Sequence, residues 1–359
     1  MWFENKVTEE LKINYPIIQA GMAGGITTPE LVAAVSNAGG LGTLGAGYLS
    51  PSAMSESIQK IKKLTTNPFG VNIFIPEFPD VSDEQLEKSN RLLEPFRKEL
   101  NLSSKSFSKP STSLFNEQIQ VVLENKVPVC SFTFGIPPKE TIQQLKKEQI
   151  IVIGTATTVK EAILNEENGM DMVVVQGSES GGHRGTFSGS FENAMIGTMA
   201  LVPQVVDQVS IPVIAAGGIM DGRGVLASLV LGANAVQMGT AFVTSLESGA
   251  TEHHKGAILN ATEEQLVVTS SFSGKPARGI QNQFITEMRK HESSLPGYPV
   301  QNTLTKDIRS EAAKQNRPEW LSMWSGQSPR LSQKRSVKDI MDEIVVKVSG
   351  QVENISKKY

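Results

Sequence analysis

Eight short apolar segments recur along residues 1–245, and most of them are separated by a single stretch of helical periodicity. Each segment is apolar without alternation, which is typical of a parallel strand buried on both faces. The segments are residues 15–20, 41–44, 69–75, 127–132, 149–154, 172–175, 211–216 and 234–238. This rhythm predicts an α/β protein of the closed (β/α)8 kind, a TIM barrel. A doubly wound open sheet is the alternative.

Two regions fall outside this rhythm. Residues 76–126 are polar and proline-containing, with helices expected near 82–101 and 114–125. We interpret them as a mostly helical insertion after the third strand, a lid or substrate region, together with the helix that leads into the fourth strand. Residues 246–359 form a C-terminal extension that we expect to pack on the barrel, with helices near 305–316 and 336–349. The barrel itself is assigned to residues 1–75 and 127–245.

The composition excludes several classes of protein. A net charge of -3 does not favour nucleic acid or an anionic membrane as a partner. No apolar run approaches the roughly 18 residues of a membrane span, and the N-terminus is too charged for a signal peptide. The single cysteine, Cys130, lies in an apolar segment and is expected to be a buried thiol rather than a nucleophile. We therefore expect a cytoplasmic protein, either a monomer or a homodimer.

The loop after the sixth predicted strand, QGSESGGHRG at 176–185, carries a carboxylate, an imidazole and a guanidinium. Barrels place their chemistry at the C-terminal ends of their strands. His183 is therefore the candidate for proton transfer near neutral pH. Glu179 and Arg184 are expected to form a solvated ion pair. The other histidines lie in polar stretches, are expected at the surface and show no metal-binding spacing: His253, His254 and His291.

Two glycine turns follow the last two predicted strands, at Gly217-Gly218 and Gly239-Thr240. Barrels often bind phosphate with these two loops, because glycine lets the backbone approach an anion. Ordinary tight turns are the alternative.

Three neutral amides, Asn72, Gln176 and Gln237, point to the same rim. Such a set suits an uncharged heterocycle with donors and acceptors on its edge, and a flavin ring fits this description. Asn72 could instead be a core residue satisfied by the protein, because an unpaired buried amide costs about 1–3 kcal/mol.

Six segments in this order resemble nitronate monooxygenase, formerly called 2-nitropropane dioxygenase. They are QAGMAGG at 19–25, AGGLGTLGAG at 38–47, GVNIF at 70–74, QGSESGGHRG at 176–185, IPVIAAGGIMDGRG at 211–224 and AVQMGTAF at 235–242. The resemblance implies a TIM barrel that holds FMN non-covalently. It also implies oxidation of alkyl nitronates with O2 to a carbonyl compound and nitrite.

The same resemblance implies the site residues, position by position. His183 matches the family's active-site histidine, which can act as a base toward neutral nitroalkanes, whereas a preformed nitronate needs no base. The FMN contacts expected from the motifs and the glycine turns are Ala20, Gly21, Met22, Asn72, Gln176, Gly181, Gly217, Gly218, Gln237, Met238, Gly239 and Thr240.

Two other functions share part of this pattern. FMN-dependent enoyl-ACP reductases carry similar AGGLG, GVN, GGH and IPVIAAGGI segments and would use NAD(P)H. Those reductases lack a long insertion after the GVN strand and have an apolar residue where Arg184 stands. A resemblance to IMP dehydrogenase is weaker, because its catalytic-loop cysteine has no counterpart here. A non-catalytic flavin-binding protein is the alternative from another class, and His183 argues against it.

Overall fold

Parallel strands form a barrel in the structure, a computed structural model that describes residues 1–103 and 113–357. The strands of these residues are β1 (Ile17–Gln19), β2 (Gly42–Gly45), β3 (Phe69–Phe74), β4 (Val129–Thr133), β5 (Ile151–Ala156), β6 (Met172–Gln176), β7 (Gly182–His183), β8 (Val213–Ala216), β9 (Ala235–Met238), β10 (Leu266–Thr269) and β11 (Ala277–Ile280). Eight of them make one sheet in the order β1-β9-β8-β6-β5-β4-β3-β2.

The two ends of this sheet meet next to β2. The backbone N–H of Gln19 donates to the carbonyl of Leu41 at 2.9 Å, and the N–H of Leu41 donates to the carbonyl of Ile17 at 3.0 Å. The predicted TIM barrel is therefore confirmed. The open-sheet alternative is wrong, because its edge strands would not pair.

Most barrel strands are followed by a helix that begins at a side-chain cap. Thr28, Ser50 and Thr158 accept hydrogen bonds from backbone N–H groups three residues ahead, which satisfies donors that a helix start leaves free. The α-helices of the described residues are α1 (Lys6–Leu11), α2 (Pro29–Asn37), α3 (Pro51–Leu64), α4 (Asp83–Glu99), α5 (Leu114–Glu124), α6 (Lys139–Lys147), α7 (Val159–Glu167), α8 (Thr198–Val206), α9 (Gly222–Val230), α10 (Thr240–Val243), α11 (Glu252–Asn260), α12 (Gln283–Met288), α13 (Val300–Leu304), α14 (Lys306–Lys314) and α15 (Val337–Ser356).

Several strands begin later than the apolar pattern predicts, and for two of them the backbone shows why. The fourth and fifth predicted segments start at residues 127 and 149, whereas β4 starts at Val129 and β5 at Ile151. The backbone is left-handed at Lys126, with φ 46°, and at Gln149, with φ 60°. The first two residues of both segments therefore belong to the turn from helix to strand.

The helices expected in residues 76–126 are α4 and α5, and residues 104–112 of that region lie outside the described part. Phe96 on α4 packs against Phe284 and Trp320 of the C-terminal residues. The buried side chain of Arg97 bonds Asp307, with Nε 3.1 Å from Oδ2. The insertion and the C-terminal region thus share a core. The division into barrel, insertion and extension stays a prediction.

A second, antiparallel sheet links the barrel rim to the C-terminal residues. Its order is β10-β11-β7, and β11 pairs with β7 so that Ala277 lies opposite His183. The loop after β6 is therefore anchored on both sides. Among the described residues, no helix is both long and apolar enough to cross a membrane.

Candidate active site

A cavity lies at the C-terminal ends of the barrel strands, where the sequence places the chemistry. The expected site residues that line it are Ala20, Gly21, Met22, Asn72, Gln176, Gly181, His183, Gly217, Gly218, Gln237, Gly239 and Thr240. Met238 is the exception, because its side chain is 1% exposed and packs in the core between the barrel and its helices. Neighbouring residues of a strand point to opposite faces, so Gln237 faces the cavity while Met238 does not.

His183 is held by a hydrogen bond to Ser273, with 2.8 Å between Nε2 and Oγ. The Ser273 hydroxyl donates its hydrogen to the carbonyl of Lys275 at 3.0 Å. It therefore accepts from the imidazole, and Nε2 carries the ring proton. The free nitrogen, Nδ1, is the atom that can accept a proton from a ligand.

Aromatic side chains surround this imidazole. The ring centroids of Phe134, Tyr298 and Trp324 lie 5.8, 5.9 and 5.5 Å from that of His183. Burial, together with the positive charges of Lys275 and Arg309, lowers the pKa of His183 to about 3. His183 is therefore a neutral imidazole at neutral pH.

Arg184 is a buried residue and not half of a solvated ion pair, so this expectation is wrong. Its side chain is 2% exposed, and it donates to the carbonyls of Gln176 at 2.9 Å and Ala194 at 2.7 Å. The carboxylate of Glu179 instead accepts from the N–H of Thr198 at 2.9 Å. The loop folds back over the end of β6, whose carbonyls need donors, and Arg184 supplies them.

Two of the three amides are satisfied within the protein. Gln176 donates to the carbonyl of His183 at 3.0 Å and accepts from the N–H of Gly185 at 2.8 Å. Asn72 donates to the hydroxyls of Ser131 at 3.0 Å and Thr133 at 3.1 Å, while it also lines the cavity. Gln237 has no hydrogen-bond partner for its side chain among the described residues. It is the amide left free for a ligand.

The glycine turns need their glycines. Gly217 and Gly218 have left-handed backbones, with φ 115° and 70°. A Cβ at Gly181 would lie 2.4 Å from the backbone nitrogen of Gly326, so only glycine allows these two loops to touch. Gly326 itself donates to the Thr240 hydroxyl at 2.9 Å. The end of the cavity near the turns is therefore closed by a segment of the C-terminal region.

That segment, residues 324–328, is a part of the site that the sequence did not reveal. Trp324, Gly326 and Ser328 line the cavity. Ser273 was missed in the same way. Residues 324–328 and the stretch around Ser273 are rich in turn-forming residues. This composition indicates loops, but it does not predict which loops meet at the barrel rim.

His254 is a further correction, because it is buried at 6% exposure rather than on the surface. Its Nε2 atom is 2.9 Å from the carbonyl of Trp324, and burial lowers its pKa. His254 lies on the face of α11 that contacts residues 324–328. The polar sequence of α11 does not predict that this face is buried. His253 is exposed as expected, and His291 is half-buried. Within the described residues, no cluster of His, Cys, Asp or Glu could hold a metal ion.

The family model described as nitronate monooxygenase matches residues 4–347. The chain belongs to the nitronate monooxygenase family. It is 55% identical over 350 residues to a protein of Staphylococcus haemolyticus (strain JCSC1435) named probable nitronate monooxygenase, covering 97% of this chain and 98% of that one. The resemblance seen in the sequence is thus confirmed. This member of the nitronate monooxygenase family is an enzyme of the flavin oxidoreductase type.

Solved structures agree with this assignment. Nitroalkane oxidase from Streptomyces ansochromogenes superposes with a TM-score of 0.91 at 36% identity, covering 98% of this chain and 100% of that one. FabK from Thermotoga maritima superposes with a TM-score of 0.79 at 33% identity, covering 99% of both chains. Both superpositions extend over nearly the whole of this chain.

Proposed function

We propose that this nitronate monooxygenase family member oxidises alkyl nitronates with O2 to a carbonyl compound and nitrite, using FMN held in the cavity. The observation that carries the proposal is the position of a neutral His183 on the wall of a cavity that ends in two glycine turns. A small molecule fits this site, and family membership supports a flavin. A cytoplasmic location, and a monomer or homodimer, stay predictions.

The residues present fit FMN. The free amide of Gln237 would bond the edge of the ring system, and the backbone of Ala20–Met22 lines the same wall. Gly217, Gly218 and Gly239 would admit the phosphate. A Cβ at Gly239 would meet nothing closer than 3.7 Å, the Sδ atom of Met22, so this glycine leaves space in the cavity.

Bound FMN would supply the electron transfer between nitronate and O2 that no side chain here can perform. The protein's own contribution is a pocket with aromatic walls and positive charge around His183. Lys275 and Arg309 place positive charge near His183, which favours an anion such as a nitronate. The ring nitrogen Nδ1 of His183 can accept a proton from a neutral nitroalkane.

The low pKa of His183 favours nitronates over nitroalkanes as substrates. A catalytic base works best when its pKa lies near the working pH. A base whose pKa is about 3 removes a carbon-bound proton with difficulty. A nitronate has already lost that proton, and His183 then only orients the anion.

The test is anaerobic reduction of the purified holoenzyme. The visible absorbance of the bound flavin is followed after adding an alkyl nitronate to one sample and NADH to another. Bleaching by the nitronate, followed by nitrite release when air is admitted, is the expected result. Rapid bleaching by NADH alone would point to the enoyl-ACP reductase alternative. Bound flavin that neither compound reduces would favour a non-catalytic flavin-binding protein.

A further inference from the structure

The barrel closes between β1 and β2, and these two strands are paired over a very short length. The other neighbouring strands of the barrel are joined by ladders of three or more residue pairs. In contrast, β1 and β2 meet in a single bridge, between Ile18 and Leu41. Strand β1 ends at Gln19, whereas β2 continues to Gly45. The rest of β2 therefore needs other partners on this side.

The backbone groups of β2 that face this side belong to alternate residues. Leu41 bonds β1 through its N–H and its carbonyl. Thr43 and Gly45 lie two and four residues further along, so their backbone groups face the same way as those of Leu41. Both residues are buried. Buried N–H and carbonyl groups need hydrogen-bond partners, but the backbone of β1 no longer runs beside them.

Two buried side chains supply these partners. The Oε1 atom of Gln19 accepts from the N–H of Thr43 at 3.1 Å, and its Nε2 atom donates to the Thr43 carbonyl at 3.2 Å. The hydroxyl of Thr27 accepts from the N–H of Gly45 at 2.7 Å. A side-chain amide offers the same donor and acceptor as a peptide group. Gln19 thus continues the pairing with its side chain after its backbone has left β2.

The same two side chains also bind the wall of the candidate active site. Gln19 donates to the carbonyl of Ala20, and the Thr27 hydroxyl donates to the carbonyl of Met22 at 3.1 Å. The peptide bond between Ala20 and Gly21 is trans, so the N–H of Gly21 points opposite to the Ala20 carbonyl. Within residues 1–103 and 113–357, this N–H has no hydrogen-bond partner. Gly21 lines the cavity, and its N–H is available to a ligand.

The chain crosses over the end of β2 at this point. A Cβ at Gly21 would lie 2.5 Å from the Cβ atom of Asn72, which is on β3. Neighbouring strands lie about 4.8 Å apart, so a β1 that stayed beside β2 would remain roughly 9 Å from β3. The close contact with Asn72 is therefore possible only because β1 leaves β2 early.

We propose that Gln19 and Thr27 are positioning residues for the cofactor. Their side chains replace the backbone of β1 as partners of β2, which releases residues 20–22 to cross toward β3. They also turn the Ala20 carbonyl away from the cavity, so that the Gly21 N–H can donate to an acceptor on the edge of the ring system. The role toward FMN rests on the proposed function, whereas the replacement of strand pairing does not.

The pairing is tested by hydrogen exchange on the purified protein as isolated. In Gln19→Met and in Thr27→Val, a peptide covering residues 41–46 should exchange at least about tenfold faster than in the wild type, because a backbone N–H loses its acceptor. Thr27→Ser keeps the hydroxyl and should keep the protection. If Gln19→Met does not fold, the two Thr27 variants decide. Unchanged protection in Gln19→Met and Thr27→Val would overturn the proposal.

A matched control separates this effect from a general loss of stability. Asn125 is another buried amide, and it donates to the carbonyl of Val121 at 2.9 Å. It precedes β4 and so lies at the opposite end of the barrel from the cavity. Asn125→Leu should lower the thermal midpoint and leave the exchange of residues 41–46 unchanged.

The affinity for FMN shows whether the two side chains position the cofactor. The FMN released when the holoenzyme is diluted is read from its fluorescence, and the visible circular dichroism of the bound flavin is recorded. Gln19→Met and Thr27→Val should bind FMN about tenfold more weakly, as expected for one lost hydrogen bond, with an altered spectrum. Thr27→Ser and Asn125→Leu should match the wild type.

The remaining outcomes distinguish this proposal from the proposed function. Wild-type FMN affinity and an unchanged spectrum in both Gln19→Met and Thr27→Val would show that these side chains only stabilise the barrel, which would overturn their positioning role. A wild-type protein that holds no flavin, even after FMN is supplied, would refute the proposed cofactor. The exchange measurement would then still decide how β2 is paired.

Discussion

The Nε2 atom of His183 lies 2.8 Å from the Oγ atom of Ser273, which is 90 residues further along the chain. The serine donates its own hydrogen to the carbonyl of Lys275, so it accepts the proton of the imidazole. A loop of the C-terminal region thereby selects the tautomer of the candidate base. Nδ1 is the nitrogen that remains available for chemistry.

Replacing the candidate base should separate two kinds of substrate. His183→Asn should abolish turnover of neutral nitroalkanes, because general-base catalysis contributes roughly 10²–10⁴-fold. Turnover of preformed nitronates should be largely spared. The measurement is kcat/KM for both forms at matched flavin content, with His253→Asn as an exposed control. An equal loss of kcat/KM on nitroalkanes and nitronates would refute the assignment of His183 as the base.

Removing the serine hydroxyl should affect the same step more mildly. Ser273→Ala leaves the Nε2–H of His183 without its acceptor, so the tautomer and the ring orientation are no longer fixed. Nitroalkane kcat/KM should fall roughly tenfold, with a smaller change for nitronates. Ser273→Thr keeps a hydroxyl and is the matched control. An alanine variant with unchanged activity on both forms would show that the hydrogen bond does not position the base.

The low pKa of His183 should be visible in the acid stability of the protein. The unfolded histidine titrates near 6.5 and the folded one at about 3. Between these pH values the unfolded chain binds a proton that the native state does not, so stability falls as the pH falls. This residue contributes a slope of at most ~1.4 kcal/mol per pH unit. Denaturant unfolding from pH 7 to 4 should show a shallower loss for His183→Asn, and an identical slope would contradict the shift.

A glycine turn offers a direct test of the phosphate position. Gly218→Glu should prevent FMN binding, because it puts bulk and negative charge where the phosphate is expected. Flavin content per chain is read from absorbance after purification. Gly169→Glu is the control, since Gly169 has a similar left-handed backbone with φ 88° and open space around it. Full flavin content in Gly218→Glu would refute the assignment.

The buried arginine of the site loop should be important for stability. Arg184→Met removes the donors that satisfy the carbonyls of Gln176 and Ala194, and each unsatisfied buried group costs about 1–3 kcal/mol. We expect a loss of at least about 3 kcal/mol in the free energy of unfolding. The control is Arg223→Met, because Arg223 is exposed and, within residues 1–103 and 113–357, pairs only with Asp221. A loss as small as that of the control would show that Arg184 is dispensable.

Several parts of the site could be predicted from local sequence. The glycine turns and the loop at 176–185 follow buried strands, and the ends of parallel strands share one rim of a barrel. The sequence could also have excluded Met238 from the cavity. Side chains alternate between the two faces of a strand, so Met238 points outward when Gln237 points inward. The burial of His254 could not have been predicted from the sequence, because its neighbours in the chain are polar and its contact with Trp324 is distant in sequence.

The sequence by itself determined the barrel, the rim at which the cavity lies and the identity of His183 as the candidate base. These features follow from apolar periodicity and turn chemistry, which act over a few residues. Only the tertiary structure decided that Ser273 orients His183 and that residues 324–328 close the cavity. Such contacts join segments far apart in the chain, and they depend on how the C-terminal region packs over the barrel. No local pattern records that packing, because the hydrogen bonds and charges involved are paired only once the chain has folded.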